Sequence, residues 1–274
     1  MTAVAEAAGA SRLTLRSRPA RAVLALAQIE GRRLLLHPAP LLALAPVLIY
    51  SIGMISQTNA QNVVWIYLGW FFLPACGAMI AANFAALRSR RAGTEDLFAS
   101  LLVSVRRQTA AHLLSLAWPV AVLAVLLAGL TWSLYTWTNK TVEFGDRPQL
   151  AVLIYGLANG PALVAAFGAF GVLLARWLPH LFVAPLAAIG LFLASGAFSD
   201  TTRNSLHWLA PVTTYSDRLD EPAAAMGWHS LYLLGVALVF GSLALLRSGR
   251  DARVLAAGGA GLALVAVAAT LMLP

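Results

Sequence analysis

The sequence holds one cysteine, Cys76, one lysine, Lys140, and eleven acidic residues in 274 positions. Cys76 lies in an apolar run and has no partner for an intrachain disulfide, so no redox framework holds the fold. A GxxxxGK[ST] phosphate loop is absent, so the chain does not hydrolyse ATP in the usual way. The GxSxG elbow and the HExxH zinc motif are absent too, and no paired carboxylates face a membrane cavity. Charged residues are 11% of the chain, and none falls inside the long apolar runs as drawn below. Ion-coupled carriers and proton pumps usually need ionisable groups within the membrane, and a retinal protein needs a buried lysine, so the sequence argues against a proton-driven antiporter and against a retinal protein.

Apolar residues are plentiful, at 60% of the chain. Seven runs have the length of a membrane span: 39–56, 63–87, 109–138, 149–175, 181–199, 228–246 and 254–273. The expected fold is therefore all-α and polytopic, with a cytoplasmic N-terminal region over 1–37 and a transmembrane domain over 38–274. The net charge of +8 is not a nucleic-acid stripe, because the arginines alternate with apolar runs. Arg12, Arg16, Arg18, Arg21, Arg32 and Arg33, the five arginines of 88–108, Arg176, and Arg247, Arg250 and Arg253 fall on one side of the alternation. Lys140, Arg147, Arg203 and Arg218 fall on the other. The positive-inside rule then places the N-terminus in the cytoplasm and the C-terminus outside. Trp65, Trp70, Trp132, Trp137, Trp208 and Trp228 gather near the expected outer ends, where indole favours the interface. Arginine in place of lysine, with abundant alanine and glycine, points to a GC-rich bacterial genome and hence to a bacterial plasma membrane. His37, His112 and His180 lie at or near span ends, where interfacial or hydrogen-bonded roles are commoner than proton relay.

The stretch 88–108, RSRRAGTEDLFASLLVSVRRQ, carries the densest charge. Thr94 is a good N-cap, Glu95 and Asp96 follow in the first turn, and Arg106 and Arg107 stand where a last turn favours cations. Phe98, Leu101, Leu102 and Val105 recur at helical spacing. The spacing predicts a short basic helix over 95–107 at the membrane surface. Upstream, residues 1–20 read as disordered rather than as a signal peptide. Residues 21–36 form a second surface candidate: Arg21, Gln28 and Arg32 share a face, with Glu30 on the other side. This segment reads equally as an interfacial helix or as a cytoplasmic extension of the first span. Pro46, Pro74, Pro119, Pro161 and Pro185 place one proline in each of the first five spans, as potential kinks or as ordinary membrane prolines. Gly156, Gly160, Gly168 and Gly171 make a small-residue face in the fourth span, suited to close packing. The outer stretch 200–227 reads as a solvated cap. His207 and Asp217 within it, with His229 just beyond, match no established metal spacing.

Three features resemble the permease subunits of ABC-2 type exporters. IEGRRLLLHPAP (29–40) resembles that family's basic interfacial helix, which enters span one through a proline. RRAGTEDLFASLLVSVRRQTAAHLL (90–114) resembles its loop after span two, with Gly93, Thr94 and an acid at the matching places. The outer segment between spans five and six falls where the family has short re-entrant helices. Two features depart from it: LLVS (101–104) stands where the family's loop often has a proline, and the six-helix core gains a seventh span. The resemblance implies a permease energised by a separate ATPase chain and paired with a second permease copy or paralogue. ATP and Mg would sit on the ATPase, with no cofactor on this chain. Arg91, Gly93, Thr94, Glu95, Asp96, Phe98, Leu102, Arg106 and Arg107 would form the ATPase-coupling segment, and Glu30, Arg32 and Arg33 would belong to the interfacial helix. Asn83 and Ser195 are the polar positions in spans that would line a substrate pathway, with interhelical hydrogen bonding as the other reading. Scarce charge suggests an amphiphilic or apolar substrate. A seven-span carrier without ATP coupling and a membrane-embedded enzyme or assembly factor are the alternatives.

Overall fold

The computed structural model describes residues 20–55, 71–93, 104–138, 149–198, 209–210 and 223–272. Among these the regular structure is helical: α1 (Ala20–Leu35), α2 (Pro38–Ile55), α3 (Phe72–Arg91), α4 (Val105–Ser115), α5 (Ala117–Thr138), α6 (Gln149–Trp177), α7 (Val183–Phe198), α8 (Ala223–Leu246) and α9 (Ala252–Met272). Four segments are long and apolar enough to cross a bilayer: Val105–Gly129, Ala158–Trp177, Gly227–Leu246 and Ala252–Met272. A fifth arises if α1 and α2, bent by 46° at their junction, count as one broken span. Phe72–Arg88 and Val183–Ser195 are shorter apolar helices at two more expected positions. The start of the expected 63–87 span, residues 1–19 and most of the outer stretch lie outside the described residues.

The bundle is built around α6, which packs on α3, α5 and α8. Lipid tails are as apolar as leucine, so helix association in a membrane depends on close fit rather than on escape from water. Glycine supplies that fit. A Cβ on Gly171 would strike the backbone carbonyl of Met79, so α3 and α6 touch main chain to main chain. Asn83, fully buried one turn further along α3, donates from Nδ2 to the Gly171 carbonyl at 3.2 Å. Gly168 and Gly160 press on side chains instead, Leu116 and Phe71 respectively. Gly77 gives α3 the same closeness to α2, where a Cβ would lie 2.8 Å from the Ala39 carbonyl oxygen. Between these crossings Phe72, Met79, Phe167, Leu123 and Leu233 form the core, with Phe72 and Phe167 edge to face at 5.6 Å. Helix α9 packs on α8 through Gly235 and Gly261, each with its Cβ position 2.9 Å from the other's carbonyl oxygen.

The structure corrects three sequence expectations. First, the 109–138 run stays one span over Val105–Gly129 but is irregular at Leu116, where α4 ends at Ser115 and α5 begins at Ala117. Pro119 is the cause, because it has no N–H for the Ser115 carbonyl and its ring crowds that oxygen. Second, Pro74, Pro119 and Pro185 each stand third in a helix, in α3, α5 and α7. In α3 and α7 a missing N–H at that position costs nothing, so Pro74 and Pro185 start helices rather than kink them, while Pro119 interrupts the hydrogen-bond ladder within the Val105–Gly129 segment. Pro46 and Pro161 do lie inside helices. Third, Arg106 and Arg107 do not close a helix over 95–107. Ser104 is extended (φ −59°, ψ 149°) and its hydroxyl accepts from the Arg107 amide, so both arginines open α4.

Candidate functional site

Antiparallel helices carry the arginines to one end of the bundle. Glu30 on α1 meets Arg88 at the end of α3. Arg106 at the start of α4 meets Asp251 in the turn before α9. The Trp177 indole at the end of α6 donates to the Leu243 carbonyl near the end of α8, at 3.1 Å. Arg33 and Arg88 thus gather around Glu30 and Arg106 stands beside Asp251, while Arg88 and Arg176 both lie within electrostatic reach of His112.

Helix α1 reaches this end with one face buried. Ala27, Glu30, Gly31 and Leu34 point into the bundle, while Arg21, Gln28 and Arg32 stay exposed on the opposite face. Glu30 is 5% exposed and is held by two arginines. Arg33 Nη1 donates to its Oε1 at 2.7 Å, and Arg88 Nη1 reaches both oxygens at 3.1 and 3.3 Å. Breaking such a pair strands a buried charge, which is why the carboxylate fixes the position of α1. Gly31 completes the seat. Its Cβ position is occupied by the Trp118 indole of α5, so any larger residue would push α1 away.

Helix α3 ends in Arg88, Arg90 and Arg91, cations at the favourable pole of its dipole. The chain then turns at Gly93, whose φ of +63° is open to glycine at little cost. The Ala92 amide bonds back to the Arg88 carbonyl and the Gly93 amide to that of Arg90, which terminates the helix. Gly93 is therefore a helix stop here, whatever else it contacts. Thr94, Glu95, Asp96, Phe98 and Leu102 lie outside the described residues. On the far side of that gap, Arg106 and Arg107 sit at the unfavourable pole of α4. Asp251 offsets this: its Oδ2 lies 2.6 Å from Arg106 Nη2, while its Oδ1 accepts from the Arg253 amide at 2.7 Å and caps α9. The hydrogen bond from Arg106, followed by that from the Arg253 amide, holds the Asp251 carboxyl below its ordinary range. Deeper in, His112 on α4 is buried, with Arg88 and Arg176 in electrostatic reach.

The two pathway positions fall elsewhere. Asn83 is enclosed in the α3–α6 contact, where its amide donates to the Gly171 carbonyl, an interhelical hydrogen bond. Ser195 is buried near the end of α7, and its hydroxyl has no hydrogen-bond partner among the described residues.

A second polar cluster, at the opposite end, escaped the sequence reading. Ser230 Oγ donates to Asn159 Oδ1 at 2.8 Å, and His229 Nδ1 lies 3.2 Å from the same oxygen. His229 Nε2 is 3.1 Å from the Ala210 carbonyl, and the Tyr232 hydroxyl donates to the Leu209 carbonyl at 3.2 Å. His229 has an oxygen within hydrogen-bond distance of each ring nitrogen, and the neutral ring donates to one of them. The visible signal was a polar pair, His229–Ser230, opening an apolar run, with a lone Asn159 in another.

Among the described residues the basic end contains ion pairs, caps and a helix stop, with nothing arranged as nucleophile and base. What it can do is hold the ends of a short connection to separate helices and pass displacement between them. No family model, curated protein or solved structure matches the chain.

Proposed function

We propose that this chain is the membrane-spanning permease of an ATP-driven exporter. In this reading it crosses a bacterial plasma membrane seven times, with the basic end in the cytoplasm. Six spans form the ABC-2 type core and α9 is the addition. The observation that carries the proposal is the double anchoring of 94–103. Its upstream end is tied to α1 through Arg88 and Glu30, and its downstream end to the α8–α9 turn through Arg106 and Asp251. A partner pressing on that connection would load α3 and α4 from both ends. The ion pairs would spread the load to α1 and α9. ATP binding and hydrolysis belong to the partner ATPase. Thr94, Glu95 and Asp96 orient the docking segment, and Phe98 and Leu102 supply apolar contacts. The resemblance of 29–40 and 90–114 to the exporter family supports the same reading. With no charged residue in the spans as drawn, the cargo is amphiphilic or apolar.

The test is purification of the tagged chain from its native membrane in mild detergent, with the co-purifying proteins identified. The expected result is a stoichiometric ATPase carrying a phosphate loop, lost on Glu95→Arg while the permease stays inserted. Recovery of the chain alone, or an ATPase retained at full stoichiometry by Glu95→Arg with transport unchanged, would overturn the coupling role.

A further inference from the structure

His37 stands in the short break between α1 and α2, before the apolar run of α2 begins. Its Nδ1 accepts a hydrogen bond from the Ala39 amide at 3.2 Å. That amide is one of the orphan donors in the first turn of α2, and Pro38 before it has no N–H to offer. The imidazole therefore acts as the helix cap, a task usually given to Ser, Thr, Asp or Asn. Across the junction the ring meets Phe84 of α3 edge on, with centroids 5.9 Å apart. One turn further along α3 is Arg88, which holds Glu30 of α1. A closed circuit of contacts runs from α1 through Arg88 and Phe84 to His37 and back to the break.

We infer that the α1–α2 corner is a proton-sensitive hinge, closed when the His37 ring is neutral and released when it is protonated. Three effects act in the same direction. A protonated Nδ1 is a donor and cannot accept from Ala39, so the first turn of α2 loses its cap. The new charge sits at the positive pole of the α2 dipole. It also faces Arg88. Of the charged groups around the corner, Arg88 comes from α3 and Glu30 and Arg33 from α1, while the first turn of α2 carries no acid. Glu30 is already held by both arginines and is no spare counter-charge for the ring. Burial, then the nearby Arg88 guanidinium, lower the pKa of His37 below 6.5. The closed corner is therefore fully present above that value and loosens as pH falls beneath it. The proposal does not depend on the transport reading.

Spin labels at Gln28→Cys and Arg90→Cys, both exposed positions, would report the α1–α3 distance in a Cys76→Ala background, in nanodiscs of phosphatidylcholine. One short-distance population is expected at about pH 8, and a second, longer one at about pH 4, chosen well beneath the ordinary histidine range because the His37 value is lowered. His37→Asn keeps a capping oxygen without a titratable ring, so it should stay in the short-distance state at both pH values. A wild-type distribution unchanged between the two would overturn the hinge. So would a His37→Asn protein that responds to acid as the wild type does, or one already open at about pH 8, which would show that the ring's packing and not its cap holds the corner.

Discussion

Gly171 and Gly190 are both helical glycines in apolar surroundings, and their neighbours separate them. A Cβ on Gly171 runs into the Met79 backbone, which no rotamer change can clear, whereas nothing lies within 4 Å of the Gly190 position. Gly171→Ala should force α3 and α6 apart and cost about 1–3 kcal/mol, the usual scale of overpacking. It should also weaken the Asn83 amide bond across the same contact. Gly190→Ala should be neutral or slightly stabilising, since alanine is the better helix former. Thermal unfolding of the two detergent-purified variants checks this, and equal midpoints would refute it. The glycine face of α6 was legible from spacing alone. The identity of its partner was not, because period says which residues share a face and nothing about which helix covers them. Glu30 shows the same limit from the polar side. A lone acid opposite Arg21, Gln28 and Arg32 looked like imperfect amphipathicity, and only the fold shows it meeting Arg88, 58 residues away.

Helix α4 shows how local signals can be individually sound and jointly misread. Thr94 with Glu95 and Asp96 announces a helix start, and Arg106 with Arg107 announces an end. Ser104, a good cap in its own right, stands between them and resets the count, so the arginines belong to the first turn of α4. A tertiary contact with Asp251 offsets the unfavourable dipole, and no local rule could foresee it. The expected consequence is specific. Asp251→Asn should speed amide hydrogen exchange in the first turns of α4 and α9 by no more than a few-fold, the scale of an exposed pair, and high salt should shrink the difference. Because Asp251 is held below 3.8, the pair is intact above that value and is lost as pH falls through the lowered one. Acidification from about pH 7 to about pH 5 should therefore leave this contact alone. A wild-type α4 whose exchange matches that of the Asn variant at neutral pH would show that the pair contributes nothing. The proline break at Leu116 is the converse case: Pro119 was visible, yet a continuous apolar run hid the interruption it makes.

At the scale of the molecule, alternation of basic and apolar segments was the most legible feature, and among the described residues ion pairs join Arg88 of α3 to α1 and Arg106 of α4 to the α8–α9 turn. The proposed orientation can be checked with single cysteines on a Cys76→Ala background and an impermeant maleimide applied to intact cells. Arg90→Cys and Arg250→Cys should be protected until the cells are permeabilised, and Lys140→Cys should react at once. External labelling of Arg250→Cys would reverse or break the seven-span order. The two-ended polar design was less legible. The cluster joins Asn159 of α6 to His229, Ser230 and Tyr232 of α8 and to the backbone of 209–210, and each of them alone looks incidental.

The Asn83–Gly171 bond spans 88 positions of sequence. A chain made from its N-terminus exposes Asn83 long before Gly171 has been synthesised. During that interval the amide has only water or a temporary neighbour to bond, and hydrocarbon offers neither. Helix α3 is therefore an unfinished object when it first leaves the ribosome, since its glycine-lined contact with α6 cannot yet form. Helices α2 and α3 can pair early across Gly77, but α3 gains its main partner only when α6 arrives. Time of synthesis thus enters the architecture: the polar residue that locks the finished bundle is the one that argues for keeping its helix at the insertion site until the lock can close.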